Sequence, residues 1–300
     1  MSNIKVNEPK RDIRVILEGQ YKLAYELIED AVAAGLTPII IGPPGVGKSL
    51  LIRKFAIDTR RPFYEVFFDE LLRPAYLIGS FDPAMVLHKG YCQEAFEPGP
   101  LVRAMSEGGI FLAQEINRAS EFCQNSLLEP LEERSYYVPR IGRIYADEDF
   151  VFIAAANPAE LAGTHRLSEA LRDRLRVWIP LTYPDRETEL KIIKMNCEPA
   201  TLEGDALSKI YAMIKAARES PDLEMPASVR AGIAIARLAA RHISQGRELS
   251  NEVLLDYASS VLLGSSSDTG SIVAQKSIKE VLRRVLAYHD QARLQGLSIP

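Results

Sequence analysis

The residues best suited to chemistry stand together early in the chain, where residues 42–49 read G-P-P-G-V-G-K-S. This is the G-x-x-x-x-G-K-S pattern of a P-loop, in which backbone N–H groups curl around a phosphate chain. Glycine at positions 45 and 47 permits that curl, because a residue without Cβ adopts positive φ freely. Lys48 is expected to reach the β- and γ-phosphates, and Ser49 to offer its hydroxyl to Mg²⁺. The expected binding residues are Gly42, Pro43, Pro44, Gly45, Val46, Gly47, Lys48, Ser49 and Leu50.

A P-loop needs a strand before it and a helix after it, and the flanking residues predict both. The apolar run from Pro38 to Ile41 is typical of a buried strand, and an amphipathic segment begins at Lys48. The helix adds its unpaired N–H groups and the positive end of its dipole to the phosphate site. The sequence therefore predicts binding of a nucleoside triphosphate.

Strand patterns then alternate with helical patterns as far as residue 181. The further strands are expected at residues 62–68, 110–113, 150–156 and 177–181. Such alternation predicts an α/β fold with a five-stranded parallel sheet. One of the helices is expected over residues 118–134, with Phe122, Leu127, Leu128 and Leu131 on one side.

Two hairpins and a second domain complete the expected organisation. Turn signals at Asp82-Pro83, Lys89-Gly90 and Gly142 predict hairpins inserted at residues 80–98 and 135–146. Beyond residue 183 only helical patterns follow, which predicts a helical domain. We therefore expect a nucleotide-binding core over residues 1–183 and an all-helical domain over residues 184–300.

Polar residues follow several of the predicted strands, at the edge of the sheet where ligands of parallel α/β proteins bind. Gln114 and Glu115 follow the third strand, Asn157 follows the fourth, and a helix with Arg172 and Arg174 precedes the fifth. A hydrolysing site needs a base for water, a positioning hydrogen bond and cations for developing charge. Glu115, Asn157 and the arginines are the candidates.

The amino-acid composition limits the expected classes of binding partner and the expected cellular location. The net charge is −4 and no segment has a dense run of Lys and Arg, so nucleic acid is not the expected partner. The 3 cysteines are far apart and form no zinc-site spacing, which suits a reducing cytosol. The polar N-terminal residues indicate no signal peptide, and no apolar run approaches membrane-spanning length. We expect a cytoplasmic protein without membrane insertion.

The chain resembles the MoxR family of AAA+ ATPases from residue 13 to about residue 290. Six segments carry the resemblance in the family's order and spacing: GPPGVGKSLL, the strand followed by EINRA, LLEPLEER, AAANPAE, LSEALRDRL and PASVRAG. The resemblance implies an AAA+ core with two inserted hairpins and a helical lid. It also implies ATP and Mg²⁺ as ligands and a homo-oligomeric ring, a hexamer, as the working form.

Residue roles also follow from the resemblance. Glu115 matches the Walker B glutamate that activates water, and Asn157 matches sensor 1, which orients that water. Arg174, with Arg172 as second choice, matches the arginine finger that reaches a neighbouring subunit's site. Arg230 matches sensor 2 of the lid. Family members typically act with a von Willebrand factor A domain protein and help to mature metalloenzymes or insert cofactors, so we expect such a partner and a client metalloenzyme.

Position 114 departs from the family, which usually has Asp immediately before the Walker B Glu. Gln114 keeps an acceptor oxygen for the Mg²⁺ site but lacks the negative charge. We expect a slow but competent ATPase that remodels client proteins; the alternative is a nucleotide-binding regulatory switch that barely hydrolyses ATP. A nucleic-acid motor is a third hypothesis, with slight support from Arg140 and Arg143 on the second hairpin. Val229 also stands where the family often has Pro.

Overall fold

A computed structural model describes residues 14–158, 166–220, 226–263 and 272–295. Ala159 and Glu160, the last residues of the AAANPAE segment, lie outside these ranges. The chain divides into two compact units, Met1–Thr182 and Tyr183–Pro300. No helix in the described ranges is long and apolar enough to cross a membrane.

The first unit alternates strands and helices. Its elements are α1 (Gly19–Ala33), β1 (Pro38–Ile41), α2 (Lys48–Asp58), β2 (Phe63–Phe67), α3 (Pro74–Ile78), β3 (Gly79–Phe81), α4 (Pro83–Lys89), β4 (Phe96–Pro98), α5 (Pro100–Ser106), β5 (Ile110–Gln114), α6 (Glu121–Asn125), α7 (Leu128–Glu132), β6 (Ser135–Val138), β7 (Gly142–Tyr145), β8 (Val151–Ala156), α8 (Glu169–Arg174) and β9 (Val177–Pro180). Short 3₁₀ turns stand at Gln93–Ala95 and Ile116–Arg118.

Five strands form a parallel sheet in the order β2-β5-β8-β1-β9, which confirms the predicted α/β core. Every residue of β5 and β8 is buried, as expected of central strands covered on both faces. In the register, Gln114 stands beside Ala155, and Ala156 stands beside Ile41. The carboxyl ends of β5, β8 and β1 therefore meet at one edge of the sheet.

The first insertion is a short ladder closed by a helix, whereas the sequence predicted a simple hairpin. β3 pairs antiparallel with β4, but α4 and a 3₁₀ turn stand between them. The turn signals in fact cap the helix. Asp82 accepts a hydrogen bond from the Ala84 N–H, Pro83 occupies the first turn, and Gly90 ends the helix at φ 73°.

The prediction of a single helix over residues 118–134 is wrong. This segment folds as a 3₁₀ turn followed by two short helices, α6 and α7. Pro130 has no N–H to donate to the carbonyl of Ser126, which accounts for a break between α6 and α7. Leu127 is buried as expected, but Phe122 is 74% exposed and does not join the apolar side.

The second insertion is the predicted two-stranded hairpin, formed by β6 and β7. Its arginines make contacts within the unit. The Arg140 guanidinium lies 3.7 Å from the centre of the Tyr91 ring in the first insertion, and Arg143 donates to Glu129 at 2.8 Å. These contacts occupy the two side chains that gave the nucleic-acid hypothesis its slight support.

In the second unit the described residues form helices joined by loops, with no strand among them. Its elements are α9 (Arg186–Met195), α10 (Asp205–Glu219), α11 (Val229–Ser244), α12 (Asn251–Leu262) and α13 (Ile272–Leu294). These helices bury an apolar core of their own. The backbone of α11 approaches its neighbour closely, because a Cβ at Gly232 would lie 3.0 Å from the Ile193 side chain.

Candidate functional site

The P-loop connects β1 to α2 at the strand-end edge of the sheet. Gly47 has φ 100°, in the region that favours glycine, and α2 begins at the next residue. Lys48 is only 6% exposed, and its Nζ donates to the carbonyl oxygens of Gly42 at 2.5 Å and Pro43 at 3.1 Å. The Tyr21 hydroxyl donates to the Val46 carbonyl at 2.9 Å and ties the loop to α1. The ammonium group is thus held against the loop that would curl around the phosphates.

Gln114 links the P-loop helix to β2. Its side-chain NH₂ donates to the Ser49 hydroxyl and, at 2.9 Å, to Oε1 of Glu65. The other oxygen of Glu65 pairs with the Arg53 guanidinium, one helical turn beyond Ser49 on α2. The Ser49 hydroxyl and the Glu65 carboxylate are hard oxygen donors of the kind that Mg²⁺ takes, so these two residues fit the implied metal, whereas Gln114 presents its NH₂ to both of them. When bound, Mg²⁺ would supply positive charge to the phosphates.

Glu115 follows β5 directly and has a left-handed backbone, with φ 52° and ψ 41°. Residues other than glycine adopt this conformation rarely, and such strain is concentrated at functional sites. Its carbonyl accepts the N–H of Arg118 at 2.8 Å, which closes the 3₁₀ turn. Asn157 follows β8, the strand beside β5. The structure therefore brings Glu115, Asn157 and the P-loop to one edge of the sheet.

Arg172 and Arg174 lie on α8, and the chain entering that helix is held by Gln124. The Gln124 amide donates to the Ala119 and Arg166 carbonyls at 2.9 and 3.3 Å and accepts the Ser168 N–H at 2.8 Å. The Arg174 guanidinium pairs with Glu132 of α7 and donates to the Ala170 carbonyl at 2.8 Å.

The Arg172 guanidinium lies 5.8 Å from the Trp178 ring centre. Arg172 is exposed, whereas the ion pair with Glu132 holds Arg174 against the first unit.

Arg230 belongs to the second unit. It is exposed on α11 and lines a groove of about 730 Å³ together with Arg237 and Arg241, which follow it on the same helix face. The other lining residues include Asn196 and Glu198 from the end of α9 onward. The sensor-2 role of Arg230 stays a prediction, as do the roles of Glu115, Asn157 and Arg174.

The sequence analysis did not identify several residues of these networks, among them Glu65, Arg53 and Glu132. One of them had a visible signal. Glu65 is the charged residue in the otherwise apolar strand segment PFYEVFF, where a carboxylate needs partners to be tolerated. Its partner on the neighbouring strand becomes identifiable only when β2 and β5 are known to be adjacent.

The known proteins that this chain resembles include a chaperone and a gas vesicle ATPase. Chaperone MoxR1 of Mycobacterium tuberculosis is 32% identical over 183 residues, which cover 61% of this chain and 45% of that protein. Gas vesicle ATPase GvpN of Ancylobacter aquaticus is 31% identical over 215 residues, which cover 66% of this chain and 59% of GvpN. Residues 38–175 match the AAA domain of the dynein-related subfamily.

The resemblance of the chain to MoxR-family AAA+ ATPases is thereby confirmed. The match to the AAA domain runs from the first residue of β1 to the residue after α8, so it contains the P-loop, Glu115, Asn157 and Arg174. The chain covers less than two thirds of MoxR1 and of GvpN.

The fold of this chain also matches solved AAA+ structures. NtrX from Brucella abortus in complex with ATP superposes with a TM-score of 0.57 at 16% identity, over 91% of this chain and 69% of NtrX. At that identity the likeness concerns the fold alone.

Proposed function

We propose that this protein is an ATP hydrolase that uses turnover to remodel client proteins. The observation that carries the proposal is the meeting of the P-loop, Glu115 and Asn157 at one sheet edge. There the phosphate cradle has a carboxylate and a carboxamide beside it. In this proposal Lys48 and the loop N–H groups hold the phosphates, Glu115 takes the proton of the attacking water, and Asn157 orients that water.

The assembly and partners are also proposed. The family resemblance supports a ring, a hexamer, in which Arg174 acts on the neighbouring subunit's nucleotide and Arg230 acts from the helical unit. The word chaperone in the name of MoxR1 supports action on proteins. A von Willebrand factor A domain partner and a client metalloenzyme rest on the resemblance alone. The unpaired cysteines support a cytoplasmic location.

The regulatory switch stays a second candidate because of one contact. The NH₂ group of Gln114 donates to the Ser49 hydroxyl, where an aspartate would place a negative charge. An amide donor at that hydroxyl takes one of the two lone pairs of the oxygen and supplies no negative charge for a cation. A site biased in this way would hold nucleotide and hydrolyse it slowly or not at all.

Phosphate release by the wild type and by Glu115→Gln tests the proposal. The wild type should hydrolyse ATP in the presence of Mg²⁺, and Glu115→Gln should reduce turnover by roughly 10²-fold or more, as expected for loss of a general base. Both should bind a fluorescent ADP analogue with equal affinity. Binding without turnover by the wild type would favour the switch, and absence of binding would contradict both functions.

Lys48→Ala should abolish binding of the analogue, because the ammonium is the cation held against the phosphate loop. Lys54→Ala serves as its matched control, since Lys54 lies on the same helix and pairs with Asp58. If Lys48→Ala binds the analogue as the wild type does, the nucleotide does not occupy the P-loop.

A further inference from the structure

Glu65 is a carboxylate held inside the first unit, beside the P-loop helix. Its side chain is 13% exposed, and it stands in the middle of β2 with its backbone opposite Leu112 of β5. Burying a charge is unfavourable unless it is paired and hydrogen-bonded. Arg53 meets one of its oxygens and the Gln114 NH₂ meets the other. Both oxygens are therefore aimed at groups on the P-loop side of the sheet.

A continuous chain of hydrogen bonds runs from Glu65 through Gln114 to the Ser49 hydroxyl. The family's usual Asp at position 114 would put a negative charge directly beside that hydroxyl. Here the amide stands between the hydroxyl and the charge, and the charge comes from the neighbouring strand. A hydroxyl and a carboxylate are thus both present, joined by the amide group.

We propose that Glu65 supplies the negative charge of the magnesium site, in place of the aspartate that the family carries at position 114. The inference rests on the proposed function, because it assumes a nucleotide on the P-loop. Glu65 acts on the cation directly or through a bound water molecule, and the Gln114 NH₂ keeps the carboxylate close to the Ser49 hydroxyl. Arg53 positions the carboxylate from α2.

A purely structural ion pair between Glu65 and Arg53 is the competing explanation. It predicts that loss of the carboxylate lowers the melting temperature and leaves cation affinity unchanged. The proposal predicts a loss of cation affinity that does not depend on the loss of stability. Measuring both quantities on the same variants separates the two explanations.

The experiment titrates Mn²⁺ into the complex of the full chain with ADP and follows free Mn²⁺ by electron paramagnetic resonance. Glu65→Gln should weaken Mn²⁺ binding about tenfold, equivalent to about 1.4 kcal/mol. Affinity for the fluorescent ADP analogue without metal should stay within twofold of the wild type. Glu107→Gln is the control, because that carboxylate accepts a bond from Tyr64 on the other face of β2 and lies outside the site.

Gln114→Asp provides the second arm, which leaves the Glu65–Arg53 pair in place and keeps the proposal testable if Glu65→Gln fails to fold. It should tighten Mn²⁺ binding at least threefold. When Glu65→Gln is added to Gln114→Asp, the affinity for Mn²⁺ should change less than threefold, because the Asp then supplies the charge beside Ser49.

Equal Mn²⁺ affinity of the wild type and Glu65→Gln overturns the inference, as does Gln114→Asp that binds Mn²⁺ no more tightly than the wild type. Absence of ADP binding by the wild type overturns the proposed function instead.

Discussion

A single carboxylate, Glu132, holds the guanidinium of Arg174 within its own subunit. The Arg174 side chain is 23% exposed, so it is accessible from outside yet fixed in position. If Arg174 completes the site of a neighbouring subunit, it must exchange Glu132 for a phosphate. The ion pair then competes with the catalytic contact, and Glu132 holds the finger away from the neighbouring site.

Two substitutions test this competition. Arg174→Ala should lower ATP turnover by roughly 10³-fold, the lower range for loss of an arginine finger. Glu132→Gln should raise turnover several-fold, because it removes a charged competitor for the guanidinium. The measurement is phosphate release as a function of protein concentration, which reports assembly as well as turnover.

Glu133→Gln is the matched control, since Glu133 is the exposed neighbour of Glu132 on the chain. Its turnover should equal that of the wild type. Normal turnover by Arg174→Ala would move the finger assignment to Arg172. A fall in turnover with Glu132→Gln would show that the pair supports the active position of Arg174 and does not compete with it.

Helices α10 and α13 are joined by a buried polar cluster around His289, which is 2% exposed. His289 Nε2 lies 2.9 Å from the Ser208 hydroxyl, and Nδ1 lies 4.0 Å from oxygens of Asp205 and Asp290. Lys209 bridges the same two carboxylates, at 2.8 Å from each. Burial lowers the pKa of His289, assisted by Lys209 and Arg186 and opposed by the two carboxylates.

This lowered pKa predicts acid destabilisation of the helical unit. The folded chain binds the His289 proton more weakly than the unfolded chain, so its contribution to stability is present above pH 6.5 and is lost as the pH falls below that value. The free energy of unfolding should decline by up to about 1.4 kcal/mol per pH unit there. His289→Gln should remove this slope in denaturant titrations between pH 7.5 and 5.5, whereas His88→Gln, an exposed control, should retain it.

The sheet and most helices were predictable because they depend on local patterns. The apolar strands, the P-loop turn and the period of the C-terminal helices are all visible in neighbouring residues. The first insertion was less predictable because Asp-Pro and Lys-Gly serve equally well as turn signals and as helix caps. The hydrogen bond from the Ala84 N–H to the Asp82 side chain identifies Asp82 as a helix cap. That bond depends on the backbone conformation, which the sequence does not specify directly.

The sequence predicts the site residues that directly follow strand ends. It does not predict contacts between residues on neighbouring strands, because the strand order is not visible in the sequence. Glu115 and Asn157 could be placed by the rule for parallel sheets. Glu65 could not, because its bond to Gln114 depends on the pairing of β2 with β5, strands separated in sequence by the whole first insertion. Similarly, Glu132 meets Arg174 across 42 residues of chain.

The two units of the molecule have separate apolar cores, and their stabilities can be measured by separate probes. The chain has 1 tryptophan, Trp178 in β9, whose indole N–H donates to the Leu175 carbonyl at 2.7 Å. Its fluorescence therefore reports on the first unit. Hydrogen exchange of α10 and α11 reports on the second unit, where the fully buried Glu189 accepts two bonds from Arg218, at 2.7 and 3.1 Å.

Glu189→Gln should destabilise the second unit and spare the first. Removing one partner of a buried ion pair leaves an uncompensated charge and lowers stability by about 3–5 kcal/mol. Arg218 keeps its bond to the Ala227 carbonyl and its stacking on the Tyr183 ring, so the lower end of that range is expected. Exchange of α10 and α11 should accelerate by at least about 10²-fold, while the Trp178 unfolding midpoint in denaturant stays at the wild-type value.

Glu280→Gln is the matched control, since Glu280 forms an exposed pair with Arg284 one turn along α13. Exposed pairs of this kind contribute little to stability, so both probes should remain unchanged. A Trp178 midpoint that falls together with the protection of α10 would show that the two cores unfold as one cooperative unit. Independent transitions would instead mean that the helical unit can open while the strand-end site of the first unit stays formed.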